Sequence, residues 1–269
     1  GTCNDGVGKG AGGGEIIVRS PAGGSKERGE NVLIGNFALF GATGGKTFIE
    51  GEAGDRFAVR NSGAVAVVEG VGDFCCEYMT NGAVLNIGGV SKGFGNGMSG
   101  GFAYQYDPDD IFEGFVSQDS VLVHTLDDDH PQAEIHRQMV RLMLEWHIQA
   151  TGSQKAMDLL TNWDNEVRHF RWIMPRALLQ YQDADAILSA KSRKALLDEL
   201  STGLAQYQVN RLKVAWKDSV PVMSGFVPNY GETDTEGMFQ LLNNWTVLEA
   251  AQVIARKRTQ ADENDPRTR

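Results

Sequence analysis

Glycine is confined to one part of this chain: 27 of its 33 glycines lie in residues 1–107, and only six follow. Glycine loses more conformational freedom on folding than any other residue, so its repeated use needs a return that glycine alone supplies. That return is a backbone at φ > 0, or coils stacked closely where a side chain would intrude. Pro21 is the only proline among these residues, so the region does not read as a disordered Pro/Gly tract. Short β-favouring runs sit between the glycines, at residues 15–19, 32–34, 47–50, 57–59, 64–68, 84–87 and 102–106. Their length and their β-branched and aromatic content are those of strands.

The runs repeat. Phe48-Ile49-Glu50-Gly51, followed by Gly54-Asp55, returns nineteen residues later as Val67-Val68-Glu69-Gly70, followed by Gly72-Asp73. Leu85-Asn86-Ile87-Gly88-Gly89 takes a similar place another 18 or 19 residues on. A period near 18 with short strands and glycine corners predicts a right-handed parallel β-helix, all-β and glycine-rich, in which each coil buries its apolar face only by stacking on its neighbours. Gly70 is placed at a strained corner on this reading. An antiparallel sandwich is the alternative, although only Asn81-Gly82 offers the two-residue hairpin signal that it favours.

The grammar changes near Pro108. Asp127, Asp128 and Asp129, followed by His130-Pro131, resemble a helix start, with acids and proline in the first turn. Ile135, Met139, Leu142, Met143 and Trp146 recur at helical spacing, Gly152 stops that helix, and Ser153 can cap the next. Residues 170–174 are a short apolar run ended by Pro175. A further helical pattern runs from 184 to 216, residues 218–237 read as a loop, 238–257 as a last helix, and 258–269 as a disordered tail. The expected organisation is a β-helix over 1–107, an α-helical appendage over 108–217, and a loop, terminal helix and tail over 218–269.

No motif survives as a catalytic, cofactor-binding or metal site. GxGxxG occurs at Gly8-Gly10-Gly13 and at Gly95-Gly97-Gly100, but a strand-like run follows each copy where a dinucleotide site needs a helix N-terminus. The five histidines (His124, His130, His136, His147 and His169) form no tight ligand pair and read as surface or interface residues. Asp107, Asp109 and Asp110 do not match a calcium loop, nor do Asp127 to Asp129. The repeat's acids, Glu50, Asp55, Glu69 and Asp73, fall at corners rather than along one strand face, which argues against a polysaccharide-cleaving β-helix. Cys75 and Cys76 sit in an apolar neighbourhood and read as inert thiols; with Cys3 they make neither a disulfide framework nor a zinc site. The net charge of -10, without a basic stripe, points away from nucleic acid. No stretch approaches the ~20 apolar residues of a membrane helix. A reducing cytoplasm is the simplest home for three thiols. Lacking an initiator Met and a signal-peptide layout, the chain reads as a fragment or a processed product.

Residues 1–107 resemble the domain named for its GxGxG repeats at the C-terminus of the glutamate synthase large subunit. The likeness runs through Asn4-Asp5-Gly6-Val7-Gly8-Lys9-Gly10, Leu39-Phe40-Gly41-Ala42-Thr43-Gly44-Gly45 and Gly51-Glu52-Ala53-Gly54-Asp55-Arg56-Phe57. It continues through Val59-Arg60-Asn61-Ser62-Gly63, Val67-Val68-Glu69-Gly70-Val71-Gly72-Asp73 and Cys76-Glu77-Tyr78-Met79-Thr80, and Thr151-Gly152-Ser153 and Asn162-Trp163 extend it. The resemblance implies an enzyme that makes two glutamates from glutamine and 2-oxoglutarate. An upstream amidotransferase would release ammonia, upstream synthase domains would hold FMN and an iron–sulfur cluster, and a small subunit would supply electrons. It implies a non-catalytic scaffold role for this segment, with no cofactor of its own and a leading coil before Gly1. A free-standing assembly subunit, like the glycine-rich subunit of formylmethanofuran dehydrogenase, is the alternative reading.

Overall fold

The computed structural model describes residues 2–21, 31–127, 133–179, 213–217 and 220–224. The chain divides into two compact units, Gly1–Pro175 and Arg176–Arg269. The drop in glycine content near residue 108 therefore falls inside the first unit.

In the first unit, β1 (Gly12–Val18), β3 (Gly44–Ile49), β5 (Ser62–Gly70), β6 (Asn81–Gly89) and β7 (Phe102–Tyr106) pair in parallel in that order. Two short strands, β2 (Val32–Ile34) and β4 (Glu52–Ala53), form a second parallel pair. The registers Phe48↔Val67, Val67↔Leu85 and Leu85↔Tyr104 reproduce the 18–19-residue period, so the repeat is one solenoid coil. Parallel pairing overturns the sandwich alternative; Asn81-Gly82 opens β6 rather than turning a hairpin. Both faces of the central strands are buried, which explains their unbroken apolar runs. Ala66, Val84 and Ala103 point into the solenoid, and small residues suit so narrow an interior. Phe48, Val67, Leu85 and Tyr104 form the buried outer face, where Phe48 and Tyr104 meet side chains of helix α1 (Ala133–Thr151).

Five stacked turns, at residues 5–10, 36–41, 55–60, 73–78 and 92–97, carry the chain round its corner. In each, the second, fourth and sixth residues have positive φ, between 45° and 76°. The glycine spacing G-x-G-x-G is thus the spacing of alternating left-handed residues. Second residues donate to the next coil (Phe37 N to Asp55 O, 2.8 Å; Arg56 N to Asp73 O, 2.7 Å), and fourth residues donate back (Ala58 N to Ala38 O, 2.9 Å; Cys76 N to Phe57 O, 2.9 Å). Residues 57–59, expected as a strand, belong to such a turn: their apolar side chains fill its core while Ala58 takes the left-handed state. Non-glycine residues held there cost about 1–2 kcal/mol each. The corner acids have a defined task in this ladder. Asp5 Oδ1 accepts from Asn36 N at 2.7 Å, Asn36 Oδ1 from Asp55 N at 2.9 Å, and Asp55 Oδ1 from Asp73 N at 2.9 Å. The column ends at Asp73, which Ser91 and then Lys92 hold below the ordinary carboxylate range. Gly70 holds φ 159°, a backbone conformation that L residues rarely adopt, and a Cβ there would come 2.6 Å from Glu52 Cγ, as expected of a strained corner.

The far end of the sheet is closed by antiparallel strands. β9 (Phe170–Pro175) pairs with β7, and β8 (Val121–Thr125) pairs with β9. The region after residue 108 is therefore not purely helical. A 3-10 turn (Phe112–Gly114) brings Phe112 edge-to-face onto Phe94, and Phe94 N donates to Phe115 O, so the fifth turn is covered. Helix α1 forms as its periodicity requires, and Gly152 (φ 79°) ends it. Ser153 Oγ caps α2 (Gln154–Thr161) by accepting from Ala156 N at 3.1 Å, before the single turn α3 (Trp163–Glu166). No helix among the described residues is long and apolar enough to cross a membrane.

In the second unit, β10 (Lys213–Lys217) and β11 (Val220–Ser224) form an antiparallel hairpin. This corrects the helix expected through Trp216 and the loop expected from 218: a short alternating run satisfies either grammar, and pairing decides it. The remainder of the 184–216 pattern, the helix expected over 238–257 and the tail lie outside the described residues, as do Asp128, Asp129, His130 and Pro131.

Candidate functional site

The most developed polar cluster joins the solenoid to its helices. Glu69, at the end of β5, is buried, and its Oε1 accepts from His147 Nε2 at 3.0 Å and from Ser153 Oγ. Thr151 Oγ1 donates to His147 O at 2.6 Å and accepts from Ser153 N at 3.2 Å, so the α1–α2 corner is fixed at four points. Nδ1 of His147 has no hydrogen-bond partner, so Nε2 carries the proton that it gives to Glu69. Serine, histidine and carboxylate are present, but both donors aim at one carboxylate oxygen. No imidazole faces the Ser153 hydroxyl, so the geometry does not activate a nucleophile. It works as a latch. One coil earlier, Glu50 is also buried; its Oε2 accepts from Ser20 N at 3.1 Å and its carbonyl from Ser20 Oγ at 2.9 Å.

The other expected candidates have structural employment. Of the surface or interface positions expected for them, His136 and His147 take neither a surface place nor an external one: both are buried where α1 packs on the sheet. His136 Nδ1 meets Tyr104 OH at 2.8 Å and its ring stacks on Trp172 at 3.8 Å; burial pushes the Tyr104 phenol above its ordinary range. His124 lies 4.9 Å from the Trp172 ring, and His169 accepts from Arg168 Nε at 3.2 Å. Tyr106 donates to Glu166 Oε2 at 2.6 Å, and burial followed by that carboxylate raises its phenol. Asp107 accepts from Ile111 N and Phe112 N and faces Arg171, which also binds Asp110 at 2.8 Å. That is a capped turn with an ion pair, not a calcium cage. Asn86 and Gln105 form an amide ladder at 2.7 Å, with Gln105 Nε2 donating to Gly88 O at 2.8 Å.

Each GxGxxG copy has its first two glycines on a solenoid turn. Their turn amides are engaged within the fold: Gly10 N by Phe40 O, Gly95 N by Cys75 O and Gly97 N by Ser120 Oγ. β1 and β7 follow them, so no helix N-terminus is offered to a phosphate. Open clefts among the described residues include two. One of about 390 Å³ lies beside β1, where Lys46 Nζ sits 4.1 Å over the Trp146 ring; the other, about 330 Å³, lies at the ends of β6 and β7 near Lys155. Neither brings a nucleophile to a base. Among the described residues no group of three or more His, Cys, Asp or Glu could hold a metal ion. The cysteines do not fit an iron–sulfur cluster. Cys75 and Cys76 are adjacent with sulfurs 3.6 Å apart, while Cys3 belongs to the first coil, three coils away. Burial, then its neighbour Cys76, raises the Cys75 thiol. Accordingly, a neutral-pH thiol reagent should label one cysteine, exposed Cys3, in the folded chain and three in denaturant; rapid labelling of three in the native state would contradict the buried pair.

These features define a class: a parallel β-solenoid whose stacked turns alternate left-handed residues, with its polar groups spent on holding helices in place. The chain belongs to the GXGXG motif family, which matches residues 1–176. It is 44% identical over 200 residues to the glutamate synthase (NADPH) large chain of Bacillus subtilis (strain 168), covering 74% of this chain and 13% of that one. It is 42% identical over 188 residues to the chloroplastic ferredoxin-dependent glutamate synthase of Spinacia oleracea, covering 70% and 11%. With the glutamate synthase (NADH) of Schizosaccharomyces pombe the identity is 41% over 194 residues, covering 72% and 9%. The matched region is thus a small part, 9% to 13%, of these relatives.

Proposed function

We propose that this chain is the non-catalytic C-terminal scaffold region of a glutamate synthase large chain, the enzyme that converts glutamine, 2-oxoglutarate and reductant to two glutamates. One observation carries the reading: identity of 44% over 200 residues to a segment of such a chain, within a family match covering 1–176. The latch and the interlocked coils support a rigid body that sets the placement of other domains. In this reading FMN, the iron–sulfur cluster and the amidotransferase nucleophile reside upstream in the same polypeptide, and a small subunit delivers electrons. The coils wind right-handed, the hand taken by about 98% of parallel strand connections. Residues 108–175 act as the appendage that braces the solenoid, and the free thiols suit a cytoplasmic setting.

The test is spectroscopic. The purified chain should be colourless and should form no glutamate from glutamine and 2-oxoglutarate with any electron donor. Flavin absorbance in stoichiometric amount would refute the scaffold assignment.

A further inference from the structure

The left-handed positions of the five turns make three columns that run along one ridge of the solenoid. The middle column is Gly8, Leu39, Ala58, Cys76 and Gly95; its side chains are buried, so core packing accounts for them. The first column is Gly6, Phe37, Arg56, Phe74 and Gly93, and the last is Gly10, Gly41, Arg60, Tyr78 and Gly97. The rings of Phe74 and Tyr78 lean over the next coil: a Cβ at Gly93 would come 2.5 Å from Phe74 Cδ1, and one at Gly97 would come 2.4 Å from Tyr78 Cε1.

Arg56 and Arg60 have no such account. Both are exposed, and both hold left-handed φ (59° and 54°) where glycine serves the same columns without strain. Neither guanidinium has an ion-pair partner among the described residues. Phe37, one coil before Arg56 in the same column, is 39% exposed, and Tyr78, one coil after Arg60, is 50% exposed. Folding alone would favour glycine at 56 and 60. Side chains kept at strained positions without partners among the described residues point to a use outside the chain.

We propose that this ridge, with Arg56 and Arg60 at its centre and Phe37 and Tyr78 beside them, docks on a carboxylate-bearing surface of the catalytic domains of glutamate synthase. The inference rests on the scaffold reading and names the face that the scaffold uses. Arginine and large aromatics are the residue types that carry binding energy in protein interfaces. The planar guanidinium fork matches a carboxylate bidentately. On a chain of net charge -10, two arginines four residues apart in one turn, without ion-pair partners among the described residues, are local cations that an acidic partner surface complements. A partner is at hand in the relatives, where this region occupies 9–13% of the polypeptide and the rest lies outside it.

The experiment is carbodiimide cross-linking of the full-length polypeptide that carries this region, with Arg56→Lys and Arg60→Lys introduced so that each site offers a primary amine at unchanged charge. Mass spectrometry should find amide links from both positions to Asp or Glu residues outside this region. A companion variant, Arg56→Gly with Arg60→Gly, should melt no lower than the parent, because glycine relaxes the left-handed backbone. It should nevertheless weaken association when the region and the catalytic domains are separated by proteolysis. If native lysines such as Lys9 or Lys92 cross-link to the catalytic domains while positions 56 and 60 do not, the ridge is not the docking face and the scaffold reading stands. If no lysine of the region cross-links beyond it, both are overturned.

Discussion

Gly88→Ala should destabilise the solenoid by about 3–5 kcal/mol, among the largest effects open to a single methyl group. A Cβ at Gly88 would lie 1.7 Å from Glu69 O, with Glu69 C at 2.3 Å and Gly70 N at 2.8 Å. All three are backbone atoms of the neighbouring coil, so no side chain can swing aside. The coil itself would have to move by more than an ångström, against hydrogen bonds on both sides. The approach is set locally: Gly88 N donates to Asn86 Oδ1 at 3.2 Å, and Gly88 O accepts from Gln105 Nε2 at 2.8 Å, which pins the corner in place. For a unit of this size that cost corresponds to a fall in melting temperature of roughly 6–20 °C. Gly89 is the control. Nothing lies within 4 Å of a Cβ there, and Gly89→Ala should change stability by no more than about 0.5 kcal/mol. Equal melting curves for the two variants would mean that the coils are not stacked as described.

Glu69→Leu should cost a similar amount, about 3–5 kcal/mol, for a different reason. The substitution leaves two buried donors, His147 Nε2–H and Ser153 Oγ–H, facing an apolar side chain, and such orphaned groups carry their full desolvation penalty. Ser153 also caps α2, so its displacement loosens the corner at which α1 turns into α2. Glu69→Gln should lose markedly less, because its amide oxygen still accepts from both. A double-mutant cycle on Glu69 and His147 should return a coupling of about 0.5–3 kcal/mol. Additive single effects would show that the latch does not act as a unit. Urea melts with unchanged m-values are the readout.

Much of the solenoid was legible because its cause is periodic. Each coil needs short strands that bury both faces and corners that tolerate φ > 0, and from the second turn onward both demands recur every 18–19 residues. The turns were harder to read. Where glycine fills the left-handed positions, as at Gly6, Gly8 and Gly10, the pattern announces itself. Where Arg56, Ala58 and Arg60 fill them, the apolar run at 57–59 reads as a strand, since the backbone hand is imposed by the coils above and below rather than by the residues themselves. The closing strands were missed for a related reason: β9 is six residues, five of them apolar, and its identity as a strand comes only from pairing with β7 and β8.

The latch had no local signal at all. Glu69 stands 78 residues from His147 and 84 from Ser153, and nothing in either neighbourhood marks the partner. Turn amides such as Gly10 N and Gly95 N, the corner acids Asp5 and Asp55, and the core histidines His136 and His147 have partners within the fold that no local pattern announces.

The most direct test of the scaffold assignment is the size of the native polypeptide, measured by immunoblot of the source cells with an antibody raised against residues 31–127. A single band several times larger than the 29.3 kDa of this chain, carrying FMN and glutamate-forming activity when immunopurified, is the expected result. A native species of about 29 kDa, free of any larger form, would contradict the account and leave a stand-alone assembly module in its place.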